Sequence, residues 1–147
     1  MPCISYLRNI MNQMISPPIA KLLEEKNFAF VATLMKDGSP QITPVWIDFE
    51  KDTNTILINT AEGRVKHQNI SRDPRIAISV VNHDNPYEMV TIRGKVIEQI
   101  TKDAAEHADK LAKKYLGLDK YPYHSPNEKR VILKIEPERV FHQQPPR

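Results

Sequence analysis

Apolar and polar positions recur along this chain with two periods, one helical and one alternating, and these divide it into helices and strands. Ile19, Leu22 and Leu23 stand at helical spacing behind Ser16-Pro17-Pro18, a capping serine followed by prolines suited to a first helical turn. This helix is expected to dock by one face and to end near Asn27. Phe28 to Met35 (FAFVATLM) is apolar and partly β-branched over strand length, which predicts a strand covered on both sides. Asp37-Gly38 marks a hairpin turn, and its partner strand is placed at about Gln41 to Phe49. Pro44 lies inside that strand and offers no N–H, so an edge or a bulge is expected beside Val45 and Trp46. Asp52 to Asn54 make the next turn, and Thr55 to Thr60 a third strand.

A short helix is predicted over Gly63 to Arg72, stopped by Asp73-Pro74. In Arg75 to Val81 (RIAISVV), Ile76, Ile78 and Val80 alternate with Ala77, Ser79 and Val81, another well-covered strand. His83 to Pro86 is a polar loop. Met89 to Ile100 reads as a longer strand, with Gly94 inside it marking a bulge or sharp bend. Thr101 is expected to cap a helix reaching Leu116, with Ala104, Ala108, Leu111 and Tyr115 as its inner stripe and Gly117 as its C-cap. The lysines near its end suit a solvated face and the helix dipole. Leu118 to Glu128 is a turn-rich loop. Arg130 to Glu136 is the last clear strand, with Val140-Phe141 continuing it after Pro137. Short connections make the sheet mainly antiparallel. Six or seven strands with a mid-strand Gly and a mid-strand Pro favour a mainly β fold, a closed barrel with flanking helices.

Length and charge narrow the picture. The 147 residues fit one domain, placed at 15–147 behind an N-terminal extension over 1–14 that is expected to be weakly ordered or helical. Met14 would serve as a start as well as Met1. The net charge of +3 favours an anionic ligand but falls well short of a nucleic-acid-binding tail. No aromatics interleave with the basic residues as a nucleic-acid surface would require. The single cysteine, Cys3, excludes an internal disulfide and a Cys-based zinc site, and suits a reducing cytoplasm. No apolar run reaches the ~18 residues of a membrane span, and no signal segment opens the chain. A cytoplasmic protein without membrane or nucleic-acid partners is expected.

Candidate chemistry concentrates between Ile56 and Pro74 (ILINTAEGRVKHQNISRDP). A strand ends there, Thr60 is placed to cap the next element, and Gly63, Arg64, Lys66 and Asn69 fall in the helical turns beyond it. Free N–H groups, the helix dipole and two cations all favour an anion, most simply a phosphate. A solvated amphipathic turn explains the same residues, and both readings stand at this point. The five histidines show no close metal-ligand spacing, and no metal site is expected. There is no Gly-x-Ser-x-Gly elbow and no phosphate loop of the GxxxxGK[ST] type. Trp46, the single tryptophan, serves either core packing or a wall against a flat ring.

Taken together, TLMKDGSPQITPVWIDF, INTAEGRVKHQNISRDPRIAISVV, YEMVTIRGKV and RVILKIEPERVF resemble the pyridoxamine 5′-phosphate oxidase-like superfamily with the flavin-reductase-like split β-barrel. Within it, the chain is most similar to small single-domain enzymes that use the deazaflavin coenzyme F420. The resemblance runs from about Pro17 to Phe141. It implies a homodimer with two cofactor sites between subunits. It places the cofactor phosphate on Arg64 and Lys66, with Asn59, Thr60 and Ala61 lining the same site. It sets Pro44, Val45 and Trp46 along the ring system, and Asn69 where the family has a helical Asn. Tyr87 and Arg93 either reach a site, from the partner subunit for instance, or make ordinary cross-strand contacts. The chain stops at Arg147 without the C-terminal Arg/His segment of the pyridoxamine phosphate oxidases proper, so that activity is not expected. The implied function is hydride transfer between F420 and a small organic substrate. The alternatives are an FMN-dependent oxidoreductase of the same fold, or a non-catalytic carrier of flavin, F420 or haem.

Overall fold

The computed structural model describes residues 14–146, so the expectation for an extension over 1–14, and Cys3 with it, falls almost wholly outside the described residues. The order is α1 (Pro17–Glu24), β1 (Ala29–Leu34), β2 (Pro40–Val45), β3 (Asp48–Glu50), β4 (Thr55–Ala61), α2 (Val65–Arg72), β5 (Arg75–Val81), β6 (Met89–Ile100), α3 (Ala104–Leu116) and β7 (Arg130–Gln143). The seven strands form one sheet in the order β2-β1-β5-β6-β7-β4-β3. Every neighbouring pair is antiparallel.

This order forces the sheet to curl. β2 and β3 lie at its two opposite edges, yet only Trp46 and Ile47 separate them in the chain. Three peptide steps reach about 11 Å at most. Flat, the edges of seven strands would stand roughly 29 Å apart at ordinary strand spacing. The sheet must therefore close on itself as a barrel, split where β2 and β3 meet without pairing. The strand expected over Gln41 to Phe49 is corrected accordingly: it is two strands on opposite edges. Pro44 shows why. It ends an edge strand, where a missing N–H disturbs no second ladder, and the chain then leaves that edge altogether.

The alternating residues turn inward as the pattern predicts. Val31, Ile78, Ile92, Ile58, Leu133 and Ile135 are almost fully buried, and α1 adds Leu22 and Leu23 at one end. Burying each such side chain contributes about 1.5–3 kcal/mol relative to exposure. The hairpin turn at Asp37-Gly38 has Gly38 at φ 87°. Gly94 marks a shift of register between β6 and β7, opposite Pro137. A Cβ there would collide with the Glu136 carbonyl oxygen, so the bulge needs glycine. β7 runs unbroken through Pro137, further than Glu136.

The capping expectations fare unevenly. Gly117 closes α3 at φ 72° with its N–H on backbone carbonyls. Thr101 does not cap α3: Asp103 holds that position in the left-handed region at φ 59°. The Thr60 side chain caps nothing either, because β4 extends to Ala61 and α2 starts only at Val65, behind Arg64.

α3 locks the crossover between the two sheet edges. Its expected stripe of Ala104, Ala108, Leu111 and Tyr115 is buried, joined by His107 and Ala112. The Tyr115 hydroxyl accepts from the Ile47 N–H at 3.1 Å and donates to the Asn27 carbonyl at 2.6 Å. Burial pushes this phenol up to about 12, against the pull of its bond from Ile47. The Lys114 ammonium donates to the carbonyls of Leu23 and Ile47 at 2.8 and 2.7 Å. Burial pulls it down to about 8. On β3, Asp48 accepts from His107 Nε2 at 3.0 Å and from Lys110 at 3.1 Å. Burial opposes ionisation of Asp48, but these bonds and the Lys110 charge outweigh it and hold the carboxyl at about 2.

These contacts give two expected outcomes. Gly94→Ala should lower unfolding free energy by about 2 kcal/mol, read by denaturant titration, because the obstructing atom is backbone and cannot swing aside. A carboxyl at about 2 in the fold and 3.8 when unfolded stabilises above about pH 4 and loses that contribution as pH falls toward 2. The loss is about 2 kcal/mol, and Asp48→Asn should flatten this acid limb in urea unfolding curves taken across that range.

Candidate functional site

A cavity of about 230 Å³ opens where the C-terminal end of β4, the crossover and the loop before β7 converge. One wall is aromatic, from Phe28, Trp46, Tyr121 and Tyr123. The other is cationic, from Arg64, Lys66 and Arg130. Pro44, Val45, Asn59, Thr60, Ala108 and Leu111 complete the lining. A larger hollow of about 510 Å³ lies on the outer sheet face, but it has no aromatic wall.

The cations come from two elements. β4 ends at Ala61, and Gly63 at φ 87° turns the chain so that Arg64 precedes α2 and Lys66 falls in its first turn. His67 braces that turn: its Nδ1 accepts from the Gly63 N–H at 3.2 Å, and its Nε2 meets Gln99 Oε1 at 3.1 Å. Arg130 starts β7 directly opposite Ala61. Arg64 donates to Glu128 Oε1 at 2.9 Å, and Arg130 Nη1 pairs with the same oxygen. Lys66 reaches Thr43 Oγ1 at 3.5 Å. Burial, and then the charges of Arg64 and Arg130, lower the pKa of its ammonium. One carboxylate thus serves two guanidinium groups, and the Lys66 charge has no acidic partner among the described residues.

The aromatic wall is held equally firmly. Trp46 stacks on Tyr115 with centroids 5.3 Å apart at 5°, and Tyr121 meets it edge-on at 6.0 Å. Trp46 therefore packs against α3 and also lines the cavity. Tyr121 carries the Arg130 guanidinium over its face at 5.0 Å. Asp109 of α3 anchors this loop by accepting from the Tyr121 N–H at 2.7 Å and bonding His124 Nε2 at 2.8 Å.

Of the residues singled out in the sequence, Pro44, Val45, Trp46, Asn59, Thr60, Arg64 and Lys66 line this one cavity. Ala61 and Asn69 do not. Ala61 is buried beneath it and gives its carbonyl to the Arg64 N–H. Asn69 lies one turn beyond Lys66 on α2, and its short side chain reaches β1 instead: Nδ2 donates to Thr33 Oγ1 at 3.0 Å and to Met35 Sδ at 3.3 Å. Tyr87 is exposed and Arg93 faces the outer hollow, both away from the cavity lining. Sequence reasoning missed Arg130, Tyr121, Tyr123, Phe28, Ala108 and Leu111. The tyrosines of KYPYHS were the one visible signal, two aromatics in a loop of turn formers.

Thr60 is among the lining residues, and its hydroxyl is buried with no hydrogen-bond partner among the described residues. An unpaired buried hydroxyl is costly to the fold. With the cations beside it and flat rings opposite, the cavity suits a planar ring system carrying an anionic group.

The F420H(2)-dependent biliverdin reductase of Mycobacterium tuberculosis is 25% identical over 128 residues, covering 86% of this chain and 87% of that protein. A solved structure named as an F420 reductase superposes with a TM-score of 0.72 at 28% identity, over 82% of this chain and 94% of that one. HupZ of Group A Streptococcus superposes with a TM-score of 0.64 at 25% identity, over 88% and 94%. The sequence pattern of the pyridoxamine 5′-phosphate oxidase family matches residues 15–144, nearly the whole split barrel, and the chain belongs to that family.

Proposed function

We propose that this protein is an oxidoreductase that binds coenzyme F420 and transfers a hydride between it and a small organic substrate. The observation that carries the reading is the gathering of Arg64, Lys66 and Arg130 in one cavity, opposite Trp46 and Tyr121. The cations and Thr60 would hold a phosphate, and the segment Pro44, Val45 and Trp46 would lie along the ring. F420 when bound supplies the hydride; FMN would offer the same ring shape and a phosphate. The two relatives named for F420 favour the deazaflavin. The chain's own part is to align two flat molecules and keep water from between them.

A cavity of about 230 Å³ is small for a whole cofactor. We propose that a second copy of the chain completes it. The outer sheet face supports this: Pro44, Phe30, Ser79, Thr91 and Phe141 form one cross-strand row, and Ile42, Ala32, Ala77, Arg93 and Arg139 the next. Ile42 and Phe141 are each 63% exposed there, an apolar surface fit for burial against its copy.

Three outcomes test these proposals. Arg64→Ala and Lys66→Ala should each weaken cofactor binding about tenfold or more, since a charge-assisted bond contributes about 1.5–3 kcal/mol. Fluorescence titration with F420 and with FMN reads both variants and the preference; unchanged affinity in both folded variants would remove the phosphate assignment. Ile42→Glu and Phe141→Glu should convert a dimer to a monomer in light scattering at micromolar protein, and a wild-type monomer with full cofactor affinity would contradict the dimer. Substitution of any one histidine should leave measurable turnover at saturating cofactor, because the ring supplies the hydride and no dedicated acid–base group is required. Abolished turnover at normal affinity would mark such a group.

A further inference from the structure

Behind the cationic wall runs a chain of three hydrogen bonds linking four residues, its direction determined by the atoms themselves. Arg130 Nε has only a proton to give, so the Asn59 amide oxygen, 2.8 Å away, must face it. The Asn59 nitrogen then faces the Ala104 carbonyl at 2.7 Å and His107 Nδ1 at 3.1 Å. Ala104 can only accept, which excludes the flipped amide a second time. His107 Nδ1 must therefore accept as well, and the imidazole proton stands on Nε2. Nε2 points at Asp48 Oδ2, 3.0 Å away, an ionised carboxylate that can only accept. Lys110 donates to the same oxygen at 3.1 Å. Every donor from the cavity inward thus points the same way, from Arg130 through Asn59 and His107 to Asp48. Asn59 and Arg130 line the cavity, whereas His107 and Asp48 are buried and do not line it.

We propose that His107 and Asp48 are positioning residues: through Asn59 they fix the Arg130 guanidinium in the wall that holds the anionic end of the ligand. The consequence for binding rests on the proposal that the cavity holds a cofactor. The alignment of Arg130 does not. With Nε committed to Asn59 and Nη1 to Glu128, the guanidinium plane over Tyr121 has one orientation. Without the His107 acceptor, the Asn59 amide nitrogen keeps only the Ala104 carbonyl as a partner, and the amide is held less tightly in its plane. Arg130 Nε then faces a less firmly placed oxygen, and its bond opens more often. A well-satisfied network of this kind is cooperative, so removing a member away from the ligand is felt at the ligand.

The test uses the full chain without ligand. The Arg130 Nε–H signal in nitrogen-15 NMR is assigned by its disappearance in Arg130→Lys, and its exchange with solvent is measured in wild type, His107→Leu and His107→Gln. Exchange should accelerate about tenfold or more in His107→Leu. It should return to within about threefold of wild type in His107→Gln, whose amide offers an acceptor and a donor in the same order as the imidazole. A purely structural role would lower the melting temperature of His107→Leu and leave this signal alone; that result overturns the proposal. Should His107→Leu not fold, the wild-type imidazole decides: long-range proton–nitrogen correlations must show the neutral Nε2–H tautomer, and an Nδ1–H tautomer overturns the chain as drawn. Affinity for FMN and F420 is the second reading. His107→Leu should weaken the cofactor that binds about tenfold, yet change it less than about twofold in an Arg130→Ala background. Full additivity there would overturn action through Arg130. If neither cofactor binds wild type while the Arg130 signal responds as described, the cofactor reading falls and the positioning stands.

Discussion

The crossover of Trp46 and Ile47 is the constraint on which the remainder of the structure depends. Two residues join strands at opposite edges of a seven-stranded sheet. The barrel must close for the chain to make that step, and closure must be held, since β2 and β3 do not pair. α3 supplies the hold. Tyr115 and Lys114 together bond the Ile47 N–H, the Ile47 carbonyl, the Asn27 carbonyl and the Leu23 carbonyl. These backbone groups would otherwise be left unpaired in a poorly solvated place. The displaced pKa values of both side chains show what this costs: a phenol and an ammonium are kept where water is scarce.

The same clamp makes the site. With Ile47 drawn under α3, Trp46 lies flat on Tyr115 and lines the cavity. α3 also carries Asp109, which holds the tyrosine loop, and His107, which holds Asn59. One helix therefore fixes the aromatic wall from one side and, through Asn59 and Arg130, the cationic wall from the other. A cavity assembled from a strand end, a crossover and a loop is thus braced by a single helix.

The site is built under electrostatic tension. Two guanidinium groups share one carboxylate, Lys66 is partly desolvated with no acidic partner among the described residues, and the Thr60 hydroxyl has no hydrogen-bond partner among them. Each feature weakens the fold, and on the proposed function a bound anion would relieve the crowding of positive charge. The buried Asp48 is the opposite case, a charge fully answered by His107 and Lys110.

Much of this was legible along the chain because it is local. Strand alternation, the Asp37-Gly38 hairpin, the need for glycine at position 94 and the buried stripe of α3 all arise from neighbours a few residues apart. So does the basic pair Arg64 and Lys66, since the strand end, turn and helix that carry them are contiguous. What the tertiary structure alone decided involves partners far apart in sequence. Gln41 to Phe49 looks like one strand because periodicity records burial and not which edge a residue joins. Arg130 enters the site because its register places it opposite Ala61, a pairing between residues distant in the chain that no local pattern encodes. Asn69 sits one turn too far along α2 to line the cavity, which depends on how the helix docks on β1. His107 lies on the buried face of α3 beside small apolar residues, and only packing against β3 and β4 gives it Asp48 and Asn59 as partners. Composition and period determined the elements and one arm of the site; closure of the sheet, set by the sum of all its contacts, decided which distant side chains would face one another.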